Sequence, residues 1–533
     1  MIKQSITNLL SILLLLILAG GIFFTSRLFI DVENSAKEYF IVLSINTLLV
    51  VCFATRTGIQ KLIESVKTRL FLNGVALICL CNTIHGLLQY IGLFQSYHPS
   101  FPITGTYENP AGFAAVQALL FPFVFTNCFN KTDKKVLHRF FVIASSLCLI
   151  SVLLSGSRTG ALAMSSVIVV TLAFNDSVFY FFKTNRWIWI PILILFFLSL
   201  ILIYHIKPDS ADGRLFIWSR CFEMIKDKPL FGYGVNGFHR YYMSTQAEYF
   251  QNNPSSQYIM LADNIIHPFN EYIKLTICFG LVGLSAAIAL LVFIIQRLFK
   301  TEKRTKILGL SFVSSILIMC QFSYPFQYAA VWLLTLVAII PSIFIINSTD
   351  AVVLPLYSRI IASTLLMLFL SITLKRMYYD MKWAEISERS FIGYTDKMLK
   401  YYEGMKPMMK RNNLFIYNYA AELNNSGFYR ESLEQTLLCL ENWNDYDAQM
   451  LLASNYSHLQ DKENAILSFV RAHNMIPCRF EPLYGEMLVF RDNNDTVNAI
   501  RMANDIIEKP IKIHSERVDF ILFQAQQLLS EYD

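Results

Sequence analysis

Eleven apolar runs, each roughly 18 to 25 residues long, constrain this chain more than any other feature. A run of that length crosses a hydrocarbon core of roughly 30 Å as a helix, because a helix satisfies its own backbone hydrogen bonds where water is absent. The 533 residues are 54% hydrophobic and 14% aromatic with a mean hydropathy of +0.43, too apolar for a soluble chain of this size. Spans are expected near 6–26, 39–55, 70–94, 111–129, 137–154, 159–174, 187–205, 271–297, 307–324, 328–346 and 359–375. The first follows Lys3 as a signal peptide would, but it runs on through Ile22, Phe23 and Phe24 with no small-x-small cleavage site. It reads as a retained anchor.

The fold class is therefore all-α: a polytopic helical bundle of about eleven spans over residues 1–376, interrupted by a polar loop at about 207–270. Basic residues set the orientation. Arg56, Lys61, Lys67 and Arg69 lie in one connection, Lys131, Lys134, Lys135 and Arg139 in the next, and Lys183 and Arg186 in a third. Arg297, Lys300, Lys303, Arg304 and Lys306 form the strongest. All four fall on the side of the N-terminus, which the positive-inside rule makes the cytoplasm. The long loop then faces outward, and so does everything after Arg376. Lys375 and Arg376 at that last exit oppose the rule, and a miscount of one helix would reverse the side of the tail.

The net charge of +6 conceals a split. From Tyr378 onward 16 Lys and Arg face 23 Asp and Glu, a net of −7, which leaves +13 on the membrane part. That excess is topological and suits anionic lipid; it does not argue for nucleic acid. The ten cysteines form no disulfide framework and no metal spacing. Cys52, Cys79, Cys81, Cys148, Cys278 and Cys320 fall in spans as small apolar groups. Cys439 and Cys478 suit a disulfide in an oxidising compartment or two inert buried thiols.

A linker helix at 377–411 leads to a helical-repeat domain at 412–533 with a period of 34. Gly427, Asp461 and Asp495 mark equivalent turns, each followed by a second helix, and Pro477 and Pro510 close two units. Over about 412–515 these units resemble tetratricopeptide repeats, although most signature Trp and Gly positions are replaced. Such an array either binds a protein partner or caps and stabilises the membrane part.

Three polar motifs share the outward side of the expected topology. Gly105-Thr106-Tyr107-Glu108-Asn109-Pro110 leads into the fourth span, Ser155-Gly156-Ser157-Arg158-Thr159-Gly160 joins the fifth and sixth, and the long loop follows the seventh. A protein that only conducts a solute needs no such insertion, whereas an enzyme acting on lipid-linked substrates must place polar groups at the bilayer surface. Arg158 in its tight turn suits either an interfacial anchor or a counter-charge for an anion. Arg214 and Arg220 are six apart and lie on roughly opposite faces of a helix, so that one can bind substrate while the other packs. His267, three residues before Asn270, suits either a hydrogen-bonded structural group or a base for a hydroxyl.

Together these residues resemble the O-antigen ligase and polymerase superfamily of bacterial envelope glycosyltransferases. The resemblance runs from roughly 75 to 345. It includes Gly105-Thr106 with Asn109-Pro110, the Ser-Gly-Ser-Arg-Thr-Gly turn, Gly213-Arg214 with Trp218, Lys228-Pro229-Leu230-Phe231-Gly232-Tyr233-Gly234, and His267 through Leu275 followed by Gly280-Leu281-Val282-Gly283. It implies an inner-membrane enzyme that moves a glycan from an undecaprenyl-pyrophosphate carrier to an acceptor hydroxyl on lipid A-core, glycan or protein, without metal, cofactor or nucleotide sugar. Arg158 and Arg214 match the family arginines that offset the pyrophosphate charge. Arg220, Asn270 and Asn109 complete the substrate contacts it implies.

In the family a His stands immediately before an Asn and acts as base. Here Phe269 holds that place and His267 lies two residues earlier. On a helix that shift turns a side chain through about 200°, so His267 serves only if Pro268 keeps the segment irregular; Glu271, with a pKa raised by burial, is the other candidate base. Two rival functions remain. A polymerase shares the motifs. A transporter or flippase of lipid-linked sugars predicts two related halves, broken helices and charges within spans, and neither the halves nor the breaks are evident in the sequence.

Overall fold

A computed structural model describes residues 2–55, 58–129, 135–175, 180, 184–185, 187, 208–343 and 355–532. Its helices, in chain order, are α1 (Ile2–Phe23), α2 (Ser35–Ala54), α3 (Gly58–Ser65), α4 (Arg69–Tyr90), α5 (Pro110–Phe125), α6 (Lys135–Leu154) and α7 (Arg158–Ala173). After them come α8 (Pro208–Asp227), α9 (Gly237–Asn252), α10 (Glu271–Phe299), α11 (Lys303–Phe322), α12 (Ala329–Ile343), α13 (Leu356–Arg389) and α14 (Thr395–Met409). The tail holds α15 (Asn413–Asn425), α16 (Tyr429–Leu440), α17 (Tyr446–His458), α18 (Lys462–Met475), α19 (Glu481–Asp492), α20 (Thr496–Glu508) and α21 (Glu516–Tyr532). Among the described residues eight helices are long and apolar enough to cross a bilayer, and α7 and α12 are shorter apolar helices. The chain is a polytopic helical membrane protein. Ten of the eleven expected spans are helical; the one at 187–205 lies outside the described residues apart from Trp187.

The chain divides into two compact units. The first takes residues up to 203, 269–271 and 286–381; the second takes 204–268, 272–285 and 382–533.

In the first unit α5 is the central helix, with every residue from Gly112 to Val124 buried. A helix apolar all round belongs inside a bundle. Small residues let its neighbours approach, as where a Cβ on Gly160 would lie 2.8 Å from the Ala114 methyl. Polar side chains between the helices are hydrogen-bonded, as apolar surroundings require: Gln117 donates to Thr83 (2.7 Å), Ser315 donates to the Ala118 carbonyl (2.8 Å), and Thr171 and Ser311 pair at 3.0 Å.

In the second unit, α9 packs on α18 of the tail, and α8 packs on α9. On α8 the buried side is Phe216, Ile217, Cys221 and Met224. On α9 it is Phe238, Tyr242, Met243, Gln246, Ala247 and Phe250. Gln246, fully buried, donates to the carbonyls of Met475 in α18 (2.7 Å) and Asp263 (3.2 Å). The His239 ring stacks on Trp443 with centroids 4.5 Å apart and planes 11° off parallel, and the Asn444 N–H donates to the His239 carbonyl (3.1 Å).

The tail itself is three antiparallel helix pairs, α15/α16, α17/α18 and α19/α20, ending in α21 against α20. The left-handed turn residues are Gly427, Gln460 and Asn494. Asp461 and Asp495 therefore stand one position beyond the equivalent of Gly427, where their carboxylates cap α18 and α20 through Asn464 N–H (3.2 Å) and Asn498 N–H (3.3 Å). Cys439 and Cys478 are both buried free thiols.

One expectation fails at α10. It is broken at Gly280 (φ 64°, ψ −167°), where the sequence offers no sign of a broken span.

Candidate active site

One end of the first unit collects two of the three polar motifs, the turn before α5 and the α6–α7 turn. Gln89 at the end of α4 accepts from the N–H groups of Thr104 (3.2 Å) and Gly105 (2.8 Å) and donates to the Gly105 carbonyl (2.8 Å), which fixes the turn before α5. Asn109 is the N-cap of α5, accepting from the Ala111 N–H at 2.8 Å, with Pro110 at the first helical position where a missing N–H costs nothing. Its amide donates to the Glu108 carboxylate (3.0 Å) and to the Tyr324 hydroxyl (3.2 Å). Glu108 also accepts from Asn34 (3.0 Å) and from the Tyr328 hydroxyl (3.0 Å). Beside it the Lys37 ammonium, 2% exposed, donates to the carbonyls of Glu33 and Thr106 and lies 4.4 Å from the Tyr107 ring centre. A buried cation at the edge of a span is expensive unless it is so enclosed.

The α6–α7 turn follows from its own residues. Gly156 (φ 74°) ends α6, and the Ser157 hydroxyl caps α7 by accepting from the Gly160 N–H (3.2 Å). Arg158 is thereby the first residue of α7, where the helix dipole already presents positive charge. The next residue, Thr159, donates to the Phe322 carbonyl at the end of α11 (3.3 Å). Helix N-terminus and guanidinium together favour an anion.

The stretch 267–271 is irregular. Trp218 donates from its indole N–H to the Pro268 carbonyl (2.9 Å). Phe269 has φ 54°, an uncommon conformation for an aromatic residue, and its ring meets the Tyr324 ring edge-on with centroids 5.5 Å apart. Asn270 is 3% exposed, and Glu271 opens α10. The condition set for His267 is thus met, since no helix relates it to Asn270. His267 lies edge-on to His239 at 6.2 Å. Burial, then the nearby Lys274 charge, push the His239 pKa down to about 4, so this neighbour is uncharged at neutral pH.

Of the residues singled out in the sequence, Asn109, Arg158, Asn270 and Glu271 belong to the first unit, while Arg214, Arg220 and His267 belong to the second. On α8 the Arg220 guanidinium lies 4.2 Å from the Tyr249 ring centre and 5.9 Å from that of Phe216. Arg214, six residues earlier, stands about 120° from it around the helix. Sequence reasoning passed over Lys37, Glu108, Tyr324, Tyr328 and His239. Glu108 stood within a quoted motif; the others carry no local signal. Among the described residues no three His, Cys, Asp or Glu side chains gather to hold a metal.

No curated protein matches the chain. The family model described as O-antigen ligase matches residues 143–288, a stretch that encloses Arg158, Arg214, Arg220, His267, Asn270 and Glu271. Over this region the chain is similar to the O-antigen ligase family.

Proposed function

We propose that this membrane glycan-transferring protein takes a glycan from an undecaprenyl-pyrophosphate carrier and joins it to an acceptor hydroxyl on the outer face of the bacterial inner membrane. His267 accepts the acceptor's proton as the bond from the anomeric carbon to the pyrophosphate oxygen breaks and the new glycosidic bond forms. The electron pair of the broken bond leaves with undecaprenyl pyrophosphate. Arg158 and Arg214 offset the charge that grows on that leaving group, with no metal required. Asn270 and Asn109 serve the glycan or the polar framework around it, Glu271 is the alternative base, and Arg220 braces the loop that carries Arg214.

The observation that carries this reading is the placement of Arg158 at the first position of α7. An arginine there opposes the helix dipole by about 0.3–1 kcal/mol, and it lies inside the matched family region. An anionic substrate gives that placement a purpose. The neutral His239 beside His267 supports the base assignment, because a charged neighbour would resist protonation of His267.

Transfer of finished chains by a ligase, to lipid, glycan or protein, is favoured over polymerisation by the repeat helices, which offer a surface for a protein partner or acceptor. The carrier-bound glycan left after deletion of the gene tests this. Finished chains stranded on the carrier are the expected outcome; single units would make the protein a polymerase. A flippase reading gains something from the break in α10, but that break is filled by the protein's own backbone. Vesicles in which labelled carrier crosses the bilayer with no new glycosidic bond would establish it.

A further inference from the structure

The sequence assigns residues 207–270 to the water outside the bilayer, yet part of this loop is tied to α10 at membrane depth. After Glu271–Lys274, α10 is apolar from Leu275 to Ile295. At about 1.5 Å per residue that stretch matches a hydrocarbon core of roughly 30 Å. Residues 277–282 therefore fall near the outer end of this apolar stretch.

At that level four hydrogen bonds join two backbones. Tyr233 and Gly234 donate N–H groups to the carbonyls of Ile277 and Cys278, both at 2.8 Å. Leu281 and Val282 donate to the carbonyls of Pro229 (2.8 Å) and Leu230 (3.2 Å). These are the groups that the break at Gly280 removes from the helix's own ladder, and each would cost several kcal/mol if left unpaired in hydrocarbon. The fit leaves no room for side chains between the strands of backbone. A Cβ on Gly280 would lie 2.1 Å from the Leu230 carbonyl oxygen, and one on Gly232 would lie 2.4 Å from that of Ile277.

The side chains of the docked segment point away from protein. Phe231 and Val235 are each 74% exposed and Leu230 58%, beside the exposed Phe279, Leu281 and Val282 of α10 itself. Groups suited to the headgroup level border it: the Tyr233 hydroxyl donates to Asp227 (2.6 Å), and the Lys228 ammonium lies 4.6 Å from the Tyr233 ring centre.

We infer that residues 229–235 form a wedge inserted into one leaflet, with Leu230, Phe231 and Val235 among the acyl chains of bilayer phospholipid. The occupant follows from continuity, since the wedge is hydrogen-bonded into a membrane-crossing helix and extends its exposed apolar face. The inference is independent of the proposed reaction.

The test places p-benzoylphenylalanine at Phe231 of the full-length protein in phospholipid vesicles carrying acyl-labelled lipid. The same probe at Leu290, exposed on α10, and at Gln251, exposed on the loop, supplies the references. Irradiation is expected to attach lipid at position 231 as at 290, and about tenfold above 251, as residence within the hydrocarbon implies. Labelling at 290 with position 231 no higher than 251 would overturn the wedge. Because the Phe231 side chain is exposed, the substitution does not disturb packing, and cross-linking reads position without depending on activity.

Discussion

Arg158 is where residue chemistry speaks most directly. If it serves an anion, Arg158→Ala should leave thermal stability in detergent within about 1 kcal/mol, because the dipole gains what the lost contacts forfeit. Glycan transfer should fall about 10²–10³-fold. Stability that collapses while transfer per folded molecule persists would make it an anchor. Glu486 in α19 offers a second residue-scale test. It is 6% exposed, and burial lifts its carboxyl to about 7, against roughly 4.3 for a free side chain. The folded state therefore holds a proton that the unfolded chain releases across that window, and this group's contribution makes stability fall as pH rises through it. Glu486→Gln should remove that slope, with a gain on the order of 3 kcal/mol above the window. Unfolding temperatures of the full chain in detergent between acid and mildly alkaline pH check it; an unchanged slope would contradict it.

At the scale of elements, the break in α10 depends on two glycines. Gly280→Ala puts a methyl into the Leu230 carbonyl and an L-side chain at φ 64°, so it should destroy the joint between α10 and residues 229–234. Protection of the Tyr233 and Gly234 amides from hydrogen exchange should vanish in the variant; retained protection would refute the role of Gly280. The membrane helices themselves were legible because a run of some twenty apolar residues permits little else. The turns at Asn109 and Ser157 were also visible, since capping residues beside Pro110 and Gly156 act locally. The break was not legible. Gly280-Leu281-Val282-Gly283 lies within an unbroken apolar run, and its partner lies far upstream in the chain. Glu108 was hidden for a similar reason: its partners Asn34 and Tyr328 come from distant segments, and nothing in one sequence brings them together.

For the whole molecule, the loop and the repeat helices form one packed unit, so the repeats are part of the structure that carries Arg214 and His267. The polar turns between the tail helices are local signals, whereas the stacking of His239 on Trp443 joins segments about two hundred residues apart with no shared pattern. Trp443→Ala should weaken this packing by about 1–3 kcal/mol and raise proteolysis within 237–252. Unchanged cleavage there would show that the repeats do not hold the loop. The proposed transfer chemistry depends on two arginines and a histidine. Its most direct test is transfer of glycan from undecaprenyl pyrophosphate to acceptor by the purified protein in vesicles, comparing the parent chain with the Arg214→Ala, His267→Ala double variant. Folded, inserted double variant with transfer abolished is the predicted result; full transfer by that variant would contradict the account.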